Sequence, residues 1–134
     1  MIHDIALEQL GALLDVLPME LAFIDADDNV RFWNRSADRD PAWHPSVLGG
    51  PVQRCHKDTS VPAVNAVLSK LRSGARDVVD RTVTSDGVTT RFRWFAVRNE
   101  AGDYLGTVEM IQYGSEISGK VAPKDVAERR TTGE

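Results

Sequence analysis

The chain has one cysteine, Cys55, among 134 residues. An intrachain disulfide is impossible, so a disulfide-stapled fold is excluded. Long apolar runs are missing too, and no stretch approaches the roughly 20 residues that span a bilayer. Basic charge is not in excess. Sixteen Lys and Arg against twenty Asp and Glu leave a net charge of −4, whereas phosphate binding wants a concentrated basic face. The start, Met1-Ile2-His3-Asp4, lacks the basic lead and apolar core of a secretion signal. There is no Gly-rich phosphate loop, no His-Glu-x-x-His and no nucleophile–base pair. What remains is ordinary globular composition, 42% hydrophobic and 27% charged, at a length that suits one domain. These features predict a cytoplasmic single-domain protein with no membrane anchor and no nucleic-acid partner.

Hydrophobic spacing divides the chain. Ala6, Leu10, Leu13, Leu14 and Leu17 form one stripe at helical period, with Asp4 as a candidate N-cap and Pro18 as the stop. Leu21–Ile24 and Val30–Trp33 read as two strands around the turn-rich Asp25–Asn29. Pro41, Pro45, Pro51 and Gly49-Gly50 then forbid a long helix. Short turns at Ser36–Arg39 and Pro45–Leu48 are expected within a wrapped section. Val64, Val67, Leu68 and Leu71 mark a helix over Val61–Ser73, with Ser60 as N-cap, Pro62 in its first turn and Gly74 beyond its end. Three strands close the domain: Asp77–Thr84, Val88–Arg98 and Tyr104–Tyr113. Asp86-Gly87 and Glu100–Asp103 are the turns between them. The order predicts an α+β fold with helices on one face of an antiparallel sheet. Residues 1–18 form a flanking helix, 19–114 the domain, and 115–134 a polar tail of mixed charge, expected to be flexible.

Cys55 and His56 are the most informative side chains. Both have metal-binding and redox capacity, and both precede the long helix. A helix N-terminus favours a thiolate and a neutral imidazole, the ligand form of His. His44 and Asp58 bring a zinc set into consideration, although the spacing fits no standard pattern. Trp33, Phe23, Val64, Leu68 and Trp94 are candidate walls of an apolar pocket. Asp25 and Glu109 are the carboxylates that a small α+β enzyme would use as general base. In the strand containing Phe95, apolar residues fall on both faces, so both faces need cover.

The order of elements from about Leu10 to Tyr113 resembles that of a PAS domain. Val30-Arg31-Phe32-Trp33-Asn34-Arg35-Ser36-Ala37 is similar to the PAS second strand and the Asn that follows it. Asp86-Gly87, Ala96–Gly102 and Leu105-Gly106-Thr107-Val108 resemble the closing hairpins. A narrower resemblance lies in His44–Gly49 and Val52–His56 followed by Ser60-Val61. These are similar to a bacterial PAS subfamily, often attached to hemerythrin-like domains, whose motif reads Cys-His-Pro-Pro-Lys-Ser. Here Lys57-Asp58-Thr59 replaces the Pro-Pro-Lys portion.

The resemblance implies a five-stranded antiparallel sheet with helices on one face and an N-terminal flanking helix. It implies a sensory or ligand-binding module rather than an enzyme. Gly114-Ser115-Glu116-Ile117 stands where a PAS sheet usually runs through Asp-Ile-Thr into a signalling helix, which predicts a free-standing module. By resemblance to heme-binding PAS sensors, His56 would be the axial ligand of a non-covalent heme and the metal site, with Cys55 and the five wall residues around it. Covalent heme is excluded because Cys-x-x-Cys-His is missing. Gln53-Arg54-Cys55-His56-Lys57-Asp58 departs from the flavin-photoreceptor motif, and Trp33 replaces the Tyr that a cinnamate-type photoreceptor needs. The resemblance further implies a homodimer through the N-terminal helix and outer sheet face, and a signalling protein partner. The alternative is a packed interaction module without a cofactor.

Overall fold

The computed structural model describes residues 1–39 and 42–114. Helix α1 spans Leu7–Asp15, β1 Glu20–Asp25 and β2 Val30–Trp33. Four 3-10 turns follow, at Ala37–Arg39, Pro45–Val47, Val52–Cys55 and Asp58–Ser60. The last runs into helix α2, Val61–Ser73. Strands β3, Val78–Ser85, β4, Val88–Arg98, and β5, Tyr104–Tyr113, complete the chain of elements. The strands form one sheet in the order β2-β1-β5-β4-β3, antiparallel throughout. No helix among the described residues is long and apolar enough to cross a membrane.

Local chemistry explains most boundaries. Asp86 and Gly87 both take positive φ, the conformation a two-residue hairpin needs to match strand twist. Gly74 closes α2 in the left-handed region and donates its N–H to Leu71 O. Two expected caps do not form. Asp4 sits at φ 49 outside α1, and Ala6 is the N-cap instead. Alanine offers no side-chain acceptor, so the start is held by the reverse contact, Ala6 N–H to Gln9 Oε1 at 2.9 Å. Ser60 makes no cap bond because its backbone is already helical, at φ −92 and ψ −17. The preceding 3-10 turn takes over the role of starting the helix.

The sheet has two faces of different character. Register places Trp33, Ala22, Glu109, Trp94 and Val79 in one row on the face that carries α2. The outer face carries Phe32, Phe23, Val108, Phe95 and Val78 in the neighbouring row. The core lies on the α2 side, where Ala22, Ile24, Val30, Ala37, Trp43, Val52 and Leu68 pack together. The 3-10 section therefore wraps over β1 and β2. It also covers the free edge of β2: Val30 N–H donates to Gly50 O at 2.9 Å, and Gly49 N–H to Val30 O at 2.7 Å. Among the described residues the edge of β3 has no such neighbour.

Asn34 ends β2 with no exposure to solvent. Its side-chain oxygen accepts from Leu21 N–H at 2.9 Å and Ala37 N–H at 3.3 Å. Its amide nitrogen donates to Leu14 O at 3.0 Å and Met19 O at 2.8 Å. All four possible amide bonds are made, which joins the end of α1, the start of β1 and the first 3-10 turn. On the outer face Gly106, at φ 149, lies under the Phe23 ring. A Cβ there would stand 2.2 Å from Ile24 O and 2.8 Å from the ring. At the other end of the sheet, α2 is fastened by arginines. Arg72 pairs with Asp28, Arg98 donates to Leu71 O at 2.7 Å, and both guanidiniums stand 5.6 Å from the Tyr104 ring centre.

Asn34→Ala leaves buried backbone groups without partners and is expected to lower unfolding stability by roughly 3 kcal/mol, read by urea denaturation. Gly106→Ala must displace backbone or ring and is expected to lower it by about 2 kcal/mol, whereas alanine at half-buried Gly11, within α1 and with nothing inside 4 Å of the new Cβ, is expected to raise it by up to about 1 kcal/mol.

Candidate functional site

The wrapped section and α2 bring together four of the seven predicted wall and ligand residues. Leu68 is buried in the core cluster, and Trp33, Val64 and Cys55 pack against it. Trp43 stacks on Trp33 with ring centres 5.7 Å apart. Trp33 Nε1 is carried to the rim, where it donates to Asp38 Oδ1 at 3.0 Å. Shape therefore fills this half of the α2 face with the protein's own rings and methyls.

The remaining three fall elsewhere. Phe23 lies on the opposite face of the sheet, because strand alternation puts Ala22 and Ile24 toward the core and Phe23 away from it. His56 is exposed and stands outside the core cluster. Cys55 and His56 also do not sit at the N-terminus of α2. They close the 3-10 turn at Val52–Cys55, and His56 N–H donates back to Gln53 O at 3.2 Å. The turn at Asp58–Ser60 intervenes, so the α2 dipole does not act on them as expected. Cys55 is half-buried and fits the role of a small apolar residue. A heme needs an imidazole aimed into an apolar slot. The arrangement here turns His56 outward beside a filled interior, so the group does not fit these residues as they stand.

Trp94 marks a different place. It lies half-buried on the α2 face of β4, away from the filled cluster. Its Nε1 donates to Glu109 Oε2 at 2.6 Å, and its ring stacks with Phe92 at 6.1 Å. On the next row Tyr113 OH donates to Glu20 Oε1 at 2.9 Å, and Glu20 is 3% exposed. Helix α2 crosses β3, β4 and β5 above this side. The α2 face thus has a closed half over β1–β2 and a half over β4–β5 where aromatic surface and carboxylate meet solvent. Alternation in the sequence identifies Trp94's face, but only strand register reveals its pairing with Glu109.

The other candidates are structural. His44 Nδ1 accepts from Ser46 N–H at 3.2 Å and caps the turn at Pro45–Val47. Among the described residues no three ligating side chains group as a metal site, so the His44, Cys55, His56 and Asp58 set does not assemble. Asp25 shapes the β1–β2 turn: it accepts from Asp27 N–H at 2.9 Å, Asn29 N–H at 3.0 Å and Arg31 Nε at 2.6 Å. Burial alone pushes its carboxyl up, but Arg31 and the two backbone donors outweigh it and hold the group below its ordinary 3.8. A carboxylate kept charged in this way is a poor general base.

With this architecture established, comparison with known proteins identifies it. A family model described as PAS domain matches residues 10–112. The chain belongs to the PAS domain family. A crystal structure of a C-terminal domain from Streptococcus mutans is 31% identical, with TM-score 0.72, over 84% of this chain and 89% of that one. The PAS domain of a Colwellia psychrerythraea protein shares the fold at 12% identity and TM-score 0.60, over 79% and 94% of the two chains. A sensory box sensor histidine kinase from Vibrio cholerae does so at 11% identity and TM-score 0.60, over 78% and 87%. Among the curated proteins no sequence matches.

Because Asp25's folded value is depressed, its contribution to stability is present above 3.8 and is lost as pH falls through that depressed value. The difference in urea midpoint between the native chain and Asp25→Asn is therefore expected to shrink progressively on acidification below 3.8. A difference that stays constant with pH would contradict it.

Proposed function

We propose that this PAS domain is a sensory module whose input is a small, flat molecule bearing a hydrogen-bond donor, taken on the β4–β5 half of the α2 face. The single observation that carries this reading is the half-buried Trp94–Glu109 pair, with Phe92 stacked beside Trp94. Aromatic walls with a few placed polar groups are the ordinary make-up of a ligand site. A carboxylate beside an aromatic wall is a hydrogen-bond acceptor. The fold shared with a sensory box sensor histidine kinase agrees with a sensory role.

Tryptamine, a planar amine, is a suitable probe. It is expected to raise the midpoint of thermal unfolding, followed by far-ultraviolet circular dichroism, in the native chain and not in Trp94→Leu. A panel of aromatic amines with no effect on the native chain would favour the cofactor-free interaction module, which the filled β1–β2 half also suits. Hemin tests the heme reading directly. An exposed His56 predicts no Soret shift on addition of hemin. A Soret band that vanishes in His56→Ala would instead support heme sensing and displace the amine reading.

A further inference from the structure

On the outer sheet face a methionine sulfur lies against a guanidinium. Arg93 stands in the middle of this face, between Met110 on β5 and Asp80 on β3 in register. Its Nη2 donates to Met110 Sδ at 3.2 Å and to Gln112 Oε1. Its Nε is buried without a hydrogen-bond partner. Asp80, the carboxylate beside it in register, is taken by Arg91 in a two-pronged pair at 3.1 and 2.6 Å. That pair shows what the arginine fork is shaped for: Nε–H and Nη2–H point the same way and grip adjacent acceptor oxygens together. On Arg93 the Nη2 side of the fork meets a thioether, a weak acceptor, and an amide oxygen, and the Nε side meets none. A buried guanidinium N–H without an acceptor is costly.

The sulfur is the member of this cluster that chemistry can change. Met110 is half-buried, as are Phe95 and Val108 on the same face, and the Phe95 ring centre lies 5.6 Å from the Arg93 guanidinium. Hydrogen peroxide converts a thioether to a sulfoxide. A lone pair of Sδ attacks one peroxide oxygen, and the S–O bond forms as the O–O bond breaks. Sulfur gives two electrons to the peroxide, and the departing oxygen takes the proton of the transferred one and leaves as water. The product carries a polar acceptor oxygen on the very atom that Nη2 already touches. In that position it lies within reach of both Nε–H and Nη2–H. Among the described residues Met110 is the methionine whose sulfur receives a hydrogen bond from a cation.

We propose that Met110 is a site of modification by peroxide, and that the Arg93 fork holds the sulfoxide oxygen. The new oxygen supplies the acceptor that Nε lacks. It also sets a polar group in the middle of an apolar strip, so the outer face changes its character while the fold stays as it is. Arg93 is here a positioning residue, acting on the product through its two parallel N–H groups. The site lies on the opposite side of the sheet from Trp94 and Glu109 and stands independently of any ligand there.

Hydrogen peroxide treatment of the full chain tests this, with Met1, Met19 and Met110 followed separately by mass spectrometry of proteolytic fragments. Met110 sulfoxide is expected to form at a rate within about threefold of that at exposed Met1. The treated native chain is expected to keep the urea midpoint of the untreated one. In Arg93→Leu the new oxygen meets no guanidinium, and the same treatment is expected to lower the midpoint by about 0.5 M. Arg93→Lys keeps the charge without the fork and is expected to fall between the two. Met110→Leu, treated alike, measures the change that comes from Met1, Met19 and Cys55 and is subtracted from each. A Met110 that remains a thioether while Met1 is fully converted overturns the proposal. So does a fall in the native midpoint as large as that in Arg93→Leu, which would mark an adventitious oxidation only.

Discussion

The amide of Asn34 is the constraint on which the architecture turns. One buried side chain satisfies two donors and two acceptors from three separate segments. An apolar residue in its place would leave Leu21 N–H, Leu14 O and Met19 O inside the protein without water. An acid would lack the donor half. Asparagine carries both halves on one planar group, and it sits where β2 gives way to the wrapped section. The departure of the chain from the sheet and the docking of α1 are thus set by the same four bonds. From there the 3-10 turns proceed over β1–β2, seal the β2 edge, and deliver the chain to α2.

That path divides the protein into regions of unlike rigidity. On the β1–β2 side, Trp33 and Trp43 stack above a core of completely buried residues such as Val30. Close-packed interiors of this kind tolerate little change in volume. On the β4–β5 side α2 is held chiefly at its C-terminal end, by Arg72 to Asp28 and by Arg98 to Leu71 O. Gln53 adds a lighter tie to Asn65 at 3.0 Å.

Much of the fold could be read from the sequence because the signals were local. The helical spacing of Val64, Val67, Leu68 and Leu71 located α2, and Asp86-Gly87 located the β3–β4 hairpin to the residue. The family resemblance drew on Val30–Ala37, where Asn34 belongs. The site was less legible. Phe23 and Ala22 are adjacent in sequence yet face opposite ways, and composition does not say which one sees the core. The assignment depended on which side α2 occupies, which is a tertiary fact. The setting of His56 was hard to read for a related reason: closeness in sequence to α2 does not place it in the first turn of that helix, because a separate 3-10 turn at Asp58–Ser60 intervenes. Trp43 joined the core through a stacking contact across ten residues that no periodicity encodes. The partner of Trp94 required knowledge of strand register. The tail, 115–134, lies outside the described residues.

The two margins of the sheet are treated differently by the chain. Along β2, the amide and carbonyl of Val30 are already engaged by Gly50 and Gly49. Among the described residues β3, an eight-residue strand rich in Val and Thr, has no strand beside its outward peptide groups. The ribbon therefore has a direction in which it can lengthen. Any extended peptide that joins it will do so beside Val78–Ser85, remote from the Trp33–Trp43 core and without disturbing it.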